Sequence, residues 1–106
     1  MTKFLIKASY TSEGVKGLLK VGGTNRKQVI EKMLTDMGGK LESFYYAFGD
    51  HDVYAIGEMP DDISAAALSM AINASGMVHI SVTILLDTET IDKAIKLSAN
   101  YRAPGS

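Results

Sequence analysis

Apolar and polar residues alternate along four stretches of the chain, which is the pattern of a β-strand with one face better buried than the other. In the first stretch every second residue from Phe4 to Tyr10 is apolar, and the last stretch alternates in the same way from Val78 to Ile84. The predicted strands cover residues 3–10, 40–48, 52–59 and 77–86. Gly49-Asp50 predicts a tight hairpin between the second and third strands, which should therefore be neighbours.

The longer segments between these strands, and the segment after the last one, have the apolar spacing of α-helices. Over residues 26–37 the apolar positions recur at intervals of one, three and four, as on one face of an α-helix. Thr24 or Asn25 is predicted to cap this helix, and Gly38-Gly39 to end it. Other helices are predicted over residues 12–20, from Pro60-Asp61-Asp62 to about Ser75, and from an Asp87 or Thr88 cap to about Asn100.

The order of these elements predicts one α+β domain over residues 1–106. Two β-α-β units make a ferredoxin-like βαββαβ arrangement, with an added C-terminal helix. We expect an antiparallel four-stranded sheet of order 4-1-3-2, with both main helices on one face. No repeat, low-complexity stretch or linker suggests a second domain.

Both faces of the predicted sheet carry large apolar side chains. On the second strand Phe44, Tyr46 and Phe48 lie on one side and Tyr45 on the other. On the third strand Tyr54 and Ile56 lie opposite Val53 and Ala55. Two main helices cover one face only, so the second face needs another partner. Face-to-face pairing with a second copy predicts a homodimer or higher homo-oligomer. The alternative is that the C-terminal helix folds back over this face within one chain.

Composition narrows the classes of function. The chain has 106 residues, of which 46% are hydrophobic and 22% charged, as is typical of a folded domain. The net charge is -1 and its cations are dispersed, which argues against nucleic-acid binding. The absence of cysteine excludes disulfides and thiolate chemistry. The N-terminal apolar run is too short for a signal peptide or membrane span, so we expect a cytoplasmic protein with no membrane contact. No cofactor is expected either.

A polar group on the second sheet face is the best candidate site. The strand order predicts that the end of the first strand is flanked by the starts of the third and fourth. The candidate ligand-binding residues are His79, Asp52, Tyr54, Lys7, Ser9 and Ser81. The structural alternatives are that Asp52 accepts hydrogen bonds from hairpin amides and that His79 is an ordinary strand residue.

Other polar groups give weaker hypotheses. Asp50, His51 and Asp52 resemble a metal-ligand set, but neighbouring strand residues point to opposite faces, so no metal site is predicted. Residues 22–27 place free amides and two cations at a helix start. This arrangement is consistent either with an anion-binding site or with an ordinary helix cap. Asn73, Tyr101 and Arg102 remain as polar candidates. No nucleophile and base are paired by spacing, so no catalytic residue is assigned.

Residues 4–11, 41–49, 51–54 and 101–105 carry a resemblance to a known family. Across nearly the whole chain the sequence resembles the GYD domain family of small bacterial and archaeal proteins. The resemblance implies a fold of the dimeric α/β-barrel group. The family's glycine, tyrosine, aspartate signature stands here as Gly49-Asp50-His51-Asp52, with His51 where tyrosine is usual.

The same Gly-x-x-Asp hairpin and the elements after it are similar to the amino-acid-binding domain of the Lrp/AsnC regulators. That similarity implies a small effector bound between subunits. No helix-turn-helix segment precedes the domain, so a complete regulator is not expected.

Two classes of function follow. The first is a small-molecule-binding or structural homo-oligomer, from which an assembly or stress-related accessory role is not distinguishable by sequence. The second is a cofactor-independent oxygenase or isomerase of the dimeric α/β-barrel kind, in which His79, Tyr54 or Asp52 would move protons in an enclosed cavity.

Overall fold

The computed structural model describes residues 1–97 and 100–105 and has eight regular elements within them. The strands are β1 (Thr2–Tyr10), β2 (Lys40–Tyr46), β3 (Val53–Met59) and β4 (Val78–Leu85). The helices are α1 (Ser12–Val21), α2 (Gly23–Asp36), α3 (Asp62–Ala74) and α4 (Thr88–Leu97). The predicted extension of α4 toward Asn100 falls on residues 98 and 99, which lie outside the described residues.

The strands form one antiparallel sheet in the order β2-β3-β1-β4, which confirms the predicted ferredoxin-like α+β arrangement. The two central strands, β1 and β3, pair with Ala8 opposite Val53. On the other side of β1, Ser9 lies opposite His79 and Tyr10 opposite Val78. The end of β1 therefore lies between the starts of β3 and β4.

The hydrophobic core lies between one sheet face and the helices α2 and α3. Leu34 of α2 and Leu68 of α3 are fully or almost fully buried against it. Gly57 of β3 permits the close approach of α2, because a Cβ added there would lie 2.7 Å from Leu34 Cδ2. The strand residues facing this core are Phe4, Ile6, Ala8, Val53, Ala55, Met59 and Val78.

Two predictions about local structure were wrong. Helix α2 starts at Gly23, directly after Gly22, and Gly22 gives it no side-chain cap. Gly22 has a φ of 87°, a positive value that glycine adopts readily, and it separates α1 from α2. Thr24 and Asn25 therefore lie inside the first turn of α2 instead of capping it.

The connection between β2 and β3 is also longer than the predicted two-residue hairpin. It covers residues 47–52 and is closed by the Ala47 amide, which donates to the Asp52 carbonyl oxygen at 3.0 Å. Within it, the Gly49 amide donates to the His51 carbonyl oxygen at 3.2 Å. Phe48 takes a φ of 56°, a left-handed conformation that non-glycine residues rarely adopt.

Tyr46 joins the end of β2 to the start of α2. Its hydroxyl donates to the Gly23 carbonyl oxygen at 3.0 Å. Burial, followed by the nearby Tyr10 phenol, raises the pKa of Tyr46 from its ordinary 10.0 to about 12. The neutral phenol is thus favoured by folding.

We expect an alkaline titration of tyrosinate absorbance to show a phenol that ionises near pH 12 instead of at the ordinary tyrosine pKa of 10.0. A raised native pKa means that the stabilisation by Tyr46 is complete below pH 10 and is lost as the pH rises from 10 to about 12. Tyr46→Phe should remove the late step, whereas Tyr45→Phe, at a 70% exposed position, should leave it. A single transition for all five tyrosines in the native protein would contradict this environment.

Helix α4 projects from the end of β4 and does not return to the sheet. Asp87 caps it as predicted, since its carboxylate accepts hydrogen bonds from the Thr90 amide and hydroxyl at 2.8 and 2.7 Å. Every residue of α4 is exposed, including Ile91 and Ile95, which are 45% and 70% accessible. The folded-back arrangement considered above is therefore not the one that the described residues adopt.

No helix in the described part of the chain combines the length and the apolar character needed to cross a membrane.

Candidate ligand-binding site

The sheet face opposite α2 and α3 is left uncovered, and we call it the open face. Alternation along each strand places every second side chain there, and the buried residues between them point to the core. Its residues on the central strands and β4 are Lys3, Leu5, Lys7, Ser9, Tyr54, Ile56, Glu58, His79, Ser81, Thr83 and Leu85, and β2 adds Lys40, Ser43 and Tyr45.

Five of the six predicted site residues meet at one end of the open face. Lys7 of β1 lies opposite Tyr54 on β3 and opposite Ser81 on β4. Ser9, two residues further along β1, lies opposite His79. We call these five residues the polar cluster. Its members come from three strands, so the sheet register itself holds them together.

His51 joins the polar cluster, and the sequence analysis did not select it as a ligand-binding residue. Its Nδ1 shares a hydrogen bond with Ser9 Oγ at 3.3 Å. Its ring packs edge-on against Tyr54, with the ring centroids 5.7 Å apart. His51 lies between the predicted Gly49-Asp50 hairpin and the predicted third strand, and neither predicts where its ring points. In the structure, the loop over residues 47–52 turns the ring onto the open face.

Asp52, the sixth predicted residue, is engaged with the backbone. Its Oδ2 accepts a hydrogen bond from the Tyr10 amide at 2.8 Å, and its own amide donates to the Ala8 carbonyl oxygen at 2.8 Å. The carboxylate therefore extends the pairing of β1 with β3 beyond the last strand residue. In this position Asp52 stabilises the end of the sheet that carries the polar cluster.

Charges divide the open face into two ends. At the end far from the polar cluster, Lys3 pairs with Glu42 at 3.0 Å and Lys40 pairs with Glu58 at 3.1 Å. Glu42 raises the pKa of Lys3, and Lys40 lowers the pKa of Glu58. Lys7 is different, because no described carboxylate forms an ion pair with it.

An apolar strip separates the two charged ends. Leu5 of β1 lies opposite Ile56 of β3, and both are only half-buried. Tyr45, opposite Tyr54, widens this strip toward β2 and is 70% exposed. Such a strip beside hydrogen-bonding groups is the usual composition of a site for a small organic molecule.

The remaining candidates have structural roles or lie apart from the cluster. Asn73 joins α3 to β4, since its Oδ1 accepts from the Ile80 amide at 2.7 Å and its Nδ2 donates to the Ile80 carbonyl oxygen at 3.2 Å. Tyr101 and Arg102 are exposed beyond α4. Arg26, from the glycine-rich segment, lies half-buried on the helix side of the sheet.

The described residues also form other clefts. One of about 590 Å³ is lined by Lys3, Glu58 and Asp87, and one of about 300 Å³ lies between α1 and the start of β4. Within residues 1–97 and 100–105, no group of three or more histidine, aspartate or glutamate side chains is placed to hold a metal ion. A crevice between the sheet and the main helices has a volume of only about 30 Å³ and an almost wholly apolar lining. That volume is enough for a water molecule or two but not for an organic ligand.

The fold and its open face define the class of protein as a ferredoxin-like α+β domain with one sheet face free for a partner. More narrowly, the chain belongs to the GYD domain family, whose family model matches residues 4–95. The match extends from β1 into α4 and includes the whole polar cluster. No curated protein and no solved structure matches the chain significantly.

Proposed function

We propose that this GYD domain protein is a homo-oligomer, at least a dimer, whose subunits meet through their open faces and hold a small molecule at the polar cluster. The observation that carries the proposal is the amount of surface that a single chain leaves exposed.

The chain exposes far more surface than a self-contained domain of its size. Its accessible surface is 7294 Å², whereas a compact monomer of 11.4 kDa exposes about 5,800 Å². The excess is about 1,500 Å², and a standard stable interface buries about 800 Å² from each partner. One chain therefore has enough uncovered surface for a permanent interface.

The shape of the chain supports the same proposal. Its radius of gyration is 17.0 Å, compared with about 13 Å for a compact domain of this length. The projecting helix α4 adds an apolar side that includes Ile91 and Ile95, with the charged residues Lys93 and Lys96 on the same helix. An amphipathic helix of this kind is stable mainly when its apolar side packs against another surface.

A second copy is the simplest partner for both surfaces. Each chain offers one open face and one projecting helix, and a closed twofold arrangement buries both kinds of surface in every subunit. The paired ends at Lys3–Glu42 and Lys40–Glu58 are charge-neutral, so bringing two such faces together creates no large repulsion there.

The polar cluster is the part of this interface that suits a ligand. Lys7, Tyr54 and His79 present hydrogen-bonding groups beside the apolar strip of Leu5 and Ile56. Covering them with a second apolar sheet would leave these groups without water, so an enclosed polar molecule would stabilise the assembly.

We favour binding over the alternative, a cofactor-independent oxygenase or isomerase. A catalytic histidine is usually oriented by a carboxylate or a backbone acceptor. Among the described residues, the hydrogen bond to Ser9 is the only side-chain bond of His51, and His79 has none.

Native mass spectrometry of freshly purified protein tests the proposal directly. We expect the mass of at least two chains, together with extra mass from a retained small molecule that is released on unfolding. Light scattering after size exclusion should give the same stoichiometry across a range of concentrations. A single-chain mass at high protein concentration would contradict the proposal.

A further inference from the structure

We infer that the molecule held at the polar cluster is a small organic anion with one carboxylate and an apolar body, and that Lys7 is its counter-ion. This inference rests on the proposed pairing of open faces. It adds the chemical class of the ligand and the residue that selects it.

Lys7 is a half-buried cation in the polar cluster of the face that must be covered. Its ammonium group has three donors and no acceptor, and no described carboxylate pairs with it. Removing such a charge from water is strongly unfavourable unless an anion accompanies it. A negative partner for Lys7 would therefore stabilise the pairing of the two faces.

The acidic residues of the open face form no ion pair with Lys7. Glu42 and Glu58 neutralise Lys3 and Lys40 at the other end, and the Asp52 carboxylate is held by the Tyr10 amide at the end of the sheet. In a twofold interface, the second subunit presents the same surface with the same pairings. Two copies of Lys7 thus enter the interface with no carboxylate paired to either of them in the single chain.

The neighbours of Lys7 favour an acceptor-rich molecule as well. The hydroxyl groups of Tyr54 and Ser81 lie on the adjacent strands, opposite Lys7, and form no side-chain hydrogen bond within the described residues. Both can donate, as can a ring nitrogen of His79. A carboxylate has two oxygens and about four lone-pair sites, which is sufficient to accept from Lys7 and from these neutral donors.

The apolar strip determines the rest of the ligand. Leu5 lies two residues from Lys7 along β1 and Ile56 lies opposite Leu5, so a molecule anchored at Lys7 can lay an apolar body over both. A phosphate dianion fits less well, because the open face has one unpaired cation and no arginine fork or helix N-terminus. One charge and an apolar body describe a monocarboxylate.

Calorimetric titration of the dialysed oligomer with three probes tests the inference. Sodium benzoate has the proposed charge and body, benzyl alcohol has the body without the charge, and inorganic phosphate has charge without the body. At equal ionic strength we expect benzoate alone to bind and to raise the melting temperature. Phosphate binding that equals benzoate binding would overturn the assignment to a monocarboxylate.

Variants identify the role of Lys7. Lys7→Met should weaken benzoate binding by about thirtyfold or more, as expected when one partner of an enclosed charge pair is lost. The same variant should remain oligomeric without any anion, because the uncompensated charge is gone. Lys16→Met is the matched control, since Lys16 lies on α1 and pairs with Glu13, and it should bind benzoate as the unmodified chain does.

The outcomes separate this inference from the proposed function. If the protein is oligomeric but does not bind benzoate, or if Lys7→Met binds benzoate equally well, the anionic ligand is contradicted and the proposed oligomer is not. A chain that is monomeric with and without benzoate overturns both.

Discussion

Replacing Ile56 with lysine is expected to convert the oligomer into a folded monomer. Ile56 lies near the centre of the open face, opposite Leu5, and is half-buried even in the single chain. In the proposed interface it becomes enclosed, so a lysine there places an unpaired charge in an apolar environment. Loss of a well-packed apolar residue together with a buried charge is worth about 3 kcal/mol or more at an interface, which is at least a hundredfold in association.

The measurement is light scattering after size exclusion, with circular dichroism to confirm that the variant is folded. Ile63→Lys is the matched control, because Ile63 of α3 is 81% exposed on the helix side of the sheet and should tolerate the charge. If Ile56→Lys keeps the subunit number of the unmodified chain, the open face is not the interface. If Ile63→Lys alone dissociates the oligomer, the subunits meet through the helical side instead.

Most of the fold was predictable because binary patterning and capping chemistry act locally. Strict alternation along β1 and β4 placed Phe4 and Val78 in the core and Lys7 and His79 on the other face. The aspartates that precede α3 and α4 cap these helices as predicted. Asp61 accepts the Ser64 amide at 2.8 Å, and Asp87 accepts the Thr90 hydroxyl and amide. These bonds lower the pKa of both carboxyl groups.

The membership of the polar cluster was only partly predictable. Lys7, Ser9 and Ser81 followed from alternation combined with the strand order. His51 did not, because it lies in the irregular loop over residues 47–52, where strand alternation does not apply and Phe48 takes a left-handed conformation. Strand alternation no longer predicts which way a side chain points once the residue lies beyond the last backbone hydrogen bond of the sheet.

The ion-pair partners of the acidic residues on the sheet could not be predicted from the sequence. Two of the four ion pairs, Lys3–Glu42 and Lys40–Glu58, join different strands, so they depend on sheet register and on a β-bulge between Leu41 and Ser43. Only when Lys3 and Lys40 are matched to their partners does Lys7 stand out as the unpaired lysine of the open face. The charge of Lys7 therefore becomes informative only in the three-dimensional structure.

Two glycines of α1 are expected to respond in opposite directions to the same substitution. Gly14→Ala should destabilise the protein by about 2 kcal/mol or more, since close-packed sites tolerate added atoms poorly. A Cβ at Gly14 would lie 2.0 Å from the Met77 carbonyl oxygen, which is backbone and cannot swing away. Gly17→Ala has open space within 4 Å and should stabilise α1 by about 0.5–1 kcal/mol.

Thermal unfolding of the two variants measures this difference, with a melting temperature expected to fall by about 10 °C for Gly14→Ala and to rise by a few degrees for Gly17→Ala. The contact at Gly14 also matters for the site. The Thr11 amide donates to the same Met77 oxygen at 3.0 Å, which fixes the start of β4 beside the end of β1, where His79 faces Ser9. Gly14→Ala should therefore weaken anion binding as well as stability, whereas equal stability of the two variants would show that α1 is not held against Met77.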